Sequence, residues 1–270
     1  MIHDIIDAVH AAGAAIEAVR ARGFAVAQKG AAGPVTEADH AADALLHERL
    51  LALAPVGWLS EETADAPARL EQRRLWVVDP LDGTKEFVSG LPQYAVAVAL
   101  VDGGRPVLGV VHNPATGDTF WAERGGGAFQ NGERMRVADG TRMLASRSET
   151  QRGEFAPFAD DWDLISIGSI EYKLALVASG EAAATLSRGP KWEWDVCAGA
   201  LLVEEAGGRV SDAFGERFQF NQPFPKVKGV LAGAPAAFER ALRRVRATGM
   251  SDRMDEFADV RNDVKGAKRR

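Results

Sequence analysis

Two aspartates three positions apart, Asp79 and Asp82, lie in the run Asp79-Pro80-Leu81-Asp82-Gly83-Thr84, directly after the apolar residues Leu75 to Val78. A buried strand is expected to carry the chain to Asp79. Pro80 then fixes φ and lacks the N–H that would extend a sheet, so the chain should turn there. That turn would aim both carboxylates at one spot, with the Leu81 carbonyl between them. Gly83 permits close backbone approach, and its amide and that of Thr84, at the start of a following helix, make an anion-binding end. Two carboxylates and a carbonyl are hard oxygen donors that suit magnesium, which shares its shell with substrate phosphate. Asp-X-X-Asp alone fits a capped turn equally well; the longer run after an apolar strand is more specific.

Two further acidic stretches are candidates. Glu61-Glu62 follows the short apolar piece Val56 to Leu59, and Asp195 follows Trp194 at the expected start of a small-residue helix. Taken singly, the first reads as a solvated surface pair and the second as a helix N-terminal aspartate held by the dipole. His3, His10, His40, His47 and His112 stand outside these stretches and read as structural or surface residues.

The elements that must position these groups follow from periodicity. Residues 2–22 and 37–53 carry apolar residues at helical spacing, with Thr36 as N-cap of the second helix and Asp39 in the capping-box position. The period then changes to short strands. Tyr94 to Val101, the turn Asp102-Gly103-Gly104 and Pro106 to His112 predict a hairpin, with strand pieces at Thr119 to Ala122 and Gly127 to Phe129. Beyond a soft boundary near 138–150, strands at 142–146, 164–167, 182–186, 208–211 and 230–233 alternate with helices at 172–179, 195–206 and 235–247. The fold class is therefore α/β, with an α+β half over 1–140, an α/β half over 141–248 and a charged tail over 249–270.

Bulk properties agree with this reading. The chain has 270 residues, 46% hydrophobic and 26% charged, with a net charge of −6. It has no overall basic footprint for a nucleic-acid polymer. The single cysteine, Cys197, excludes an intrachain disulfide and a thiolate zinc site and suggests a reducing, cytoplasmic setting. No signal peptide or membrane span is read.

Taken together, Glu61-Glu62, Asp79 through Phe87, Trp194-Asp195 through Ala200, and Glu205-Ala206-Gly207-Gly208 resemble the inositol monophosphatase superfamily in order and spacing, over roughly residues 5–245. The resemblance implies a layered α-β-α-β-α fold, often dimeric, in a magnesium-dependent and commonly lithium-sensitive phosphatase. By position it implies Glu61, Asp79, the Leu81 carbonyl, Asp82 and Asp195 as ligands of two or three Mg2+ ions. Thr84 would orient the attacking water, Asp39 would poise Thr84, and Glu62 would be an outer or third-metal group. A divalent ion lowers the pKa of a bound water, and a second ion takes charge on the leaving oxygen.

Lys85-Glu86-Phe87 resembles the 3′(2′),5′-bisphosphate nucleotidase, or sulfur-assimilation, branch, as does Ser166-Ile167-Gly168-Ser169 with Lys173 behind it. Gly83, Thr84, Lys85, Gly168 and Ser169 would line the substrate pocket. Arg188 stands where the inositol branch has a glutamate, and with Lys191 it suits a second phosphate. The short connection Val88 to Tyr94 looks more like the inositol type. The substrate is therefore a small phosphorylated metabolite: a bisphosphate nucleotide first, then an inositol, polyol, sugar or histidinol phosphate. A non-catalytic metal- or phosphate-binding member is the remaining alternative.

Overall fold

The computed structural model describes residues 1–28 and 34–248. The charged tail expected over 249–270 lies outside the described residues. The chain opens with α1 (Ile2–Arg22), a two-stranded ribbon of β1 (Val26–Gln28) and β2 (Pro34–Thr36), and α2 (Glu37–Leu53). A seven-stranded sheet follows: β3 (Gly57–Ser60), β4 (Arg74–Asp82), β5 (Ala95–Asp102), β6 (Arg105–Asn113), β7 (Asp118–Glu123), β8 (Gly127–Gln130) and β9 (Glu133–Arg134), adjacent in that order. The short α3 (Thr84–Val88) leaves the end of β4.

The second half begins with β10 (Arg142–Ser146), α4 (Arg147–Gln151), β11 (Asp163–Ile167), α5 (Ile170–Ala178) and β12 (Ala184–Ser187). It continues through β13 (Lys191–Trp192), α6 (Cys197–Glu205), β14 (Arg209–Ser211), β15 (Lys226–Val227), β16 (Val230–Gly233) and α7 (Pro235–Ala247). Here the sheet order is β11-β10-β12-β16-β14, parallel across the first three strands and antiparallel around β16.

Three apolar clusters define the layers. Along β4, Trp76 and Val78 face α1 and α2, while Leu75 and Val77 face α5 and α6. The strand alternates, yet both of its faces are covered, which is why its sequence reads as one continuous apolar run. The opposite side of α5 and α6 packs on the second sheet, whose far face carries α7. The order α-β-α-β-α is the one the family resemblance implies. The helix periodicity is equally literal: Ile5, Val9, Ala12, Ile16 and Val19 form the buried stripe of α1. Trp76 is fully buried between layers, with its indole N–H donating to the Ala54 carbonyl at 3.1 Å. Its truncation to alanine would cost about 3–5 kcal/mol.

The strand does not end at Asp79, as Pro80 suggests it should. β4 runs on to Asp82, because a bulge absorbs the proline: Asp79 pairs with Ala97 and Asp82 with Ala95, leaving two residues of β4 opposite one of β5. The expected helix over 195–206 is also shorter. Asp195 closes a 3-10 turn, Glu193–Asp195, and α6 starts at Cys197.

Candidate active site

The bulge sets the positions of the two aspartates. Asp79 continues the Leu75, Val77 series and so faces the middle layer. Its Oδ1 accepts the Leu81 amide at 3.0 Å across the bulge. Beyond Asp82, Gly83 has φ +96° and stands so close to β5 that an added Cβ would lie 2.8 Å from the Gln93 carbonyl oxygen. Only glycine satisfies both conditions.

Glu61 arrives beside Asp79 through strand pairing. β3 runs parallel to β4 with Ser60 opposite Val78, and the Glu61 amide donates to the Val78 carbonyl at 3.3 Å. Asp43 on α2 secures this segment by accepting Ser60 Oγ at 2.5 Å and Thr63 Oγ1 at 2.9 Å. One turn earlier on the same helix is Asp39, buried at 2% exposure. Its Oδ2 accepts both the amide and the hydroxyl of Thr36, each at 2.8 Å, completing the capping box. Its Oδ1 accepts the Thr84 hydroxyl at 3.0 Å. That hydroxyl also lies 3.1 Å from the Leu81 carbonyl, but its one proton favours the carboxylate, a charge-assisted acceptor.

The second half supplies the facing wall. Asp82 Oδ2 accepts Ser169 Oγ at 2.6 Å and the Glu171 amide at 2.7 Å, so the start of α5 holds Asp82. Glu171, fully buried, turns its side chain to α6, accepting the amides of Ala198 at 3.1 Å and Gly199 at 2.5 Å. Asp195, just before α6, accepts the Trp192 amide at 2.7 Å.

Glu61, Asp79, Leu81, Asp82, Gly83, Thr84, Lys85, Gly168, Ser169 and Asp195 share the wall of one cavity of about 450 Å³. Among the described residues, no three His, Cys, Asp or Glu side chains already stand as a closed metal cage. The four acids act on one another all the same. Burial first, then the charges of Glu61, Asp82 and Asp195, pushes the Asp79 carboxyl well above the usual range. Burial and the Asp82 charge raise Asp195 to about 7. Asp79, Asp82 and Asp195 each commit one oxygen to a protein donor, leaving the other for the cavity. Hard oxygens whose negative charges destabilise one another fit a divalent cation such as magnesium.

Besides Asp39, which stands behind Thr84, two expected site residues lie off this cavity. Arg188 does not line this cavity: its Nη1 donates to the Glu154 carbonyl at 3.2 Å. Glu62 does not line it either; its buried side chain lies 3.5 Å from His40 Nδ1. Lys191, three residues past Arg188, is the basic residue of that loop that does reach the cavity.

Several lining residues had no signal of their own in the sequence. Ser146, Arg147, Ser148 and Gln151 enter from α4 and its cap. Arg147 donates through Nη2 to Gln93 Oε1 and lies 3.6 Å from Glu86, while the Gly168 amide donates to the same Gln93 oxygen at 3.0 Å. Lys173, which the sequence did mark out behind Ser166 to Ser169, is almost fully buried and also lines the cavity. Burial lowers its pKa to about 8, against the pull of Glu149. Glu149 is itself below the usual range, because Lys191 and the donors from Ser187, Arg188 and Gly189 outweigh the cost of burial.

A layered fold with acids from both halves converging on one cavity defines a class of phosphatase, and the comparisons agree. Residues 2–249 match the model of the inositol monophosphatase family. An inositol-1-monophosphatase of Mesorhizobium japonicum is 37% identical over 70% of this chain and 76% of its own. The 3′(2′),5′-bisphosphate nucleotidase CysQ of Aggregatibacter actinomycetemcomitans is 32% identical over 82% of this chain and 88% of its own. Among solved structures, the extragenic suppressor protein suhB from Bartonella henselae superposes with a TM-score of 0.79 at 30% identity, covering 90% of this chain and 97% of that one. The chain belongs to the inositol monophosphatase family and is a phosphoric monoester hydrolase. Among the described residues, no helix is long and apolar enough to cross a membrane.

Proposed function

We propose that the chain hydrolyses the 3′-phosphate of a 3′,5′-bisphosphorylated nucleoside, with magnesium as its ion. The observation that carries this reading is the cation content of the cavity. Arg147, Lys173 and Lys191 line it from the second half and Lys85 from the first, around the four acids. With two divalent ions bound, the positive charges exceed those of the five lining acids, Glu86 included, by more than one phosphate dianion offsets. A second phosphate offsets the remainder, and lysine and arginine are the side chains that meet it.

Glu61, Asp79, Asp82, Asp195 and the Leu81 carbonyl would hold the ion, which supplies Lewis acidity and an acidified water when bound. Thr84 acts on the water side. With its proton committed to Asp39, its oxygen lone pairs accept a hydrogen bond from a water in the cavity and so turn that water's own lone pair toward phosphorus. Asp39 is locked by Thr36, which keeps the Thr84 hydroxyl from turning round. Lys173 and Lys191 place the substrate, and the cavity volume lies within the range of small-molecule sites.

An inositol or other polyol phosphate is the second reading. It is favoured by the hydroxyl and amide groups of Ser146, Ser148 and Gln151 along the same wall, which suit ring hydroxyls. The two readings separate in one paired assay. The first expects a higher kcat/KM for 3′-phosphoadenosine 5′-phosphate than for inositol 1-phosphate; a ratio below one rejects it.

A further inference from the structure

Glu149 is a buried acid that the phosphatase chemistry does not use. It lies on α4 beside the cavity residues Ser146, Arg147, Ser148 and Gln151, but is not itself among the cavity residues. At 2% exposure it packs instead against the loop that joins β12 to β13. Its carboxylate gathers that loop: Ser187 Oγ at 2.7 Å, the Arg188 amide at 3.1 Å and the Gly189 amide at 3.1 Å, with Lys191 Nζ at 3.9 Å. One side chain thus fixes consecutive backbone positions some 40 residues away in sequence, and draws in the lysine that follows them. The outcome is visible in where the two basic residues go. Arg188 reaches the Glu154 carbonyl, while Lys191, its Nζ 3.5 and 3.4 Å from the Gly189 and Pro190 carbonyls, lines the cavity.

We infer that Glu149 is a positioning residue for substrate selection: it clamps the 187–190 loop in the one arrangement that presents Lys191 to the second anionic group of the substrate. The inference rests on the reading that the cationic wall receives a second phosphate. Glu149 touches neither substrate nor ion. It acts through Lys191, and its effect belongs in KM for a doubly phosphorylated substrate, not in the chemical step. A buried carboxylate that merely held the fold would lower stability and affect all substrates alike.

The test compares Glu149→Gln, Lys191→Ala and the double variant on 3′-phosphoadenosine 5′-phosphate and on adenosine 3′-monophosphate. Glutamine keeps the size and one acceptor oxygen but not the charge. Glu149→Gln is expected to raise KM for the bisphosphate about tenfold, with kcat within about twofold, and to leave KM for the monophosphate unchanged. The double variant should be no worse than Lys191→Ala, because both act through one contact. Parallel losses on both substrates, or additive losses in the double variant, would overturn the inference. Should Glu149→Gln fail to fold, Ser187→Ala removes one donor to the same carboxylate and must give the same selective rise, about two- to threefold. A wild-type chain indifferent to the second phosphate rejects the substrate reading instead. Hydrogen exchange at the Arg188 and Gly189 amides then decides the clamp: faster exchange in Glu149→Gln supports it, and unchanged exchange rejects it.

Discussion

Ser169 donates its hydroxyl to Asp82 Oδ2 at 2.6 Å while accepting the Tyr172 amide at 3.0 Å. One side chain therefore caps α5 and fixes an acid from the other half of the molecule. Ser169 also has a positive φ of 54°, unusual for a residue with a Cβ. The expected role of Ser169 was contact with substrate; its hydroxyl is engaged by the protein itself. Ser169→Ala should cost about 1–2 kcal/mol of stability through the lost cap. It should lower kcat/KM about 10- to 100-fold by loosening Asp82. Denaturant midpoints and steady-state kinetics check the two effects separately, and unchanged kinetics would remove Ser169 from the site.

Thr84 and Asp39 give a sharper contrast. Thr84→Val preserves shape and removes the hydroxyl, so kcat should fall about a hundredfold or more with little change in substrate KM. Thr84→Ser keeps the hydroxyl and should retain most of the rate. Equal activity in the serine and valine variants would show that the hydroxyl does not handle the water.

Asp43 lies one helical turn after Asp39 and holds Ser60 and Thr63 on either side of Glu61 and Glu62. Asp43→Ala should let that segment move. The expected result is a 10- to 100-fold rise, roughly, in the magnesium concentration needed for half-maximal rate, with the rate at saturating ion largely kept. Calorimetric titration with magnesium in the absence of substrate is the independent check.

The acids of the site also set a pH dependence. Asp195 has a folded pKa of about 7 against an ordinary 3.8, so the folded metal-free chain binds the extra proton and its stability falls as pH rises toward 7 and beyond. Glu193, raised to about 7 mainly by burial, adds to this, as do Asp79 and Glu171, which are raised well above their usual range. His112 works the other way: burial holds it at about 4, so it favours the unfolded chain as pH drops below 6.5. Lys173, near 8 when folded, opposes the acids only as pH rises through 8. Between pH 8 and 6.5 the acids dominate. Acidifying the metal-free protein over that interval should raise Tm, and magnesium should raise Tm more at pH 8 than at pH 6.5, because protons compete for the same oxygens. A Tm that falls on acidification from 8 to 6.5 contradicts the arrangement.

What the sequence disclosed follows contact range. The stripes of α1 and α2 and the Thr36–Asp39 box depend on neighbours three or four residues away, and their bounds match the structure. The Asp79 to Thr84 run announced itself because proline, glycine and two acids after an apolar strand have few other uses. Its bulge did not, since continued pairing of β4 depends on β5, which the run does not contain. Arg188 looked like the basic residue of the pocket on position alone. That loop is held by Glu149, about 40 residues earlier, and it is Lys191 that lines the cavity. Asp43 was legible in principle, as a second acid one turn beyond Asp39 on the same helix face.

Glu171 carries one more consequence. Helix N-termini are natural seats for phosphate, and α6 starts beside Asp195 at the edge of the cavity. Two of its leading amides are already taken by the chain's own carboxylate. Glu171 thus fills that berth from within, and an incoming phosphate has to find its donors elsewhere in the cavity. The amides that open α6 join it to α5 and are closed to substrate, so the seat of the phosphate falls to the other walls of the cavity.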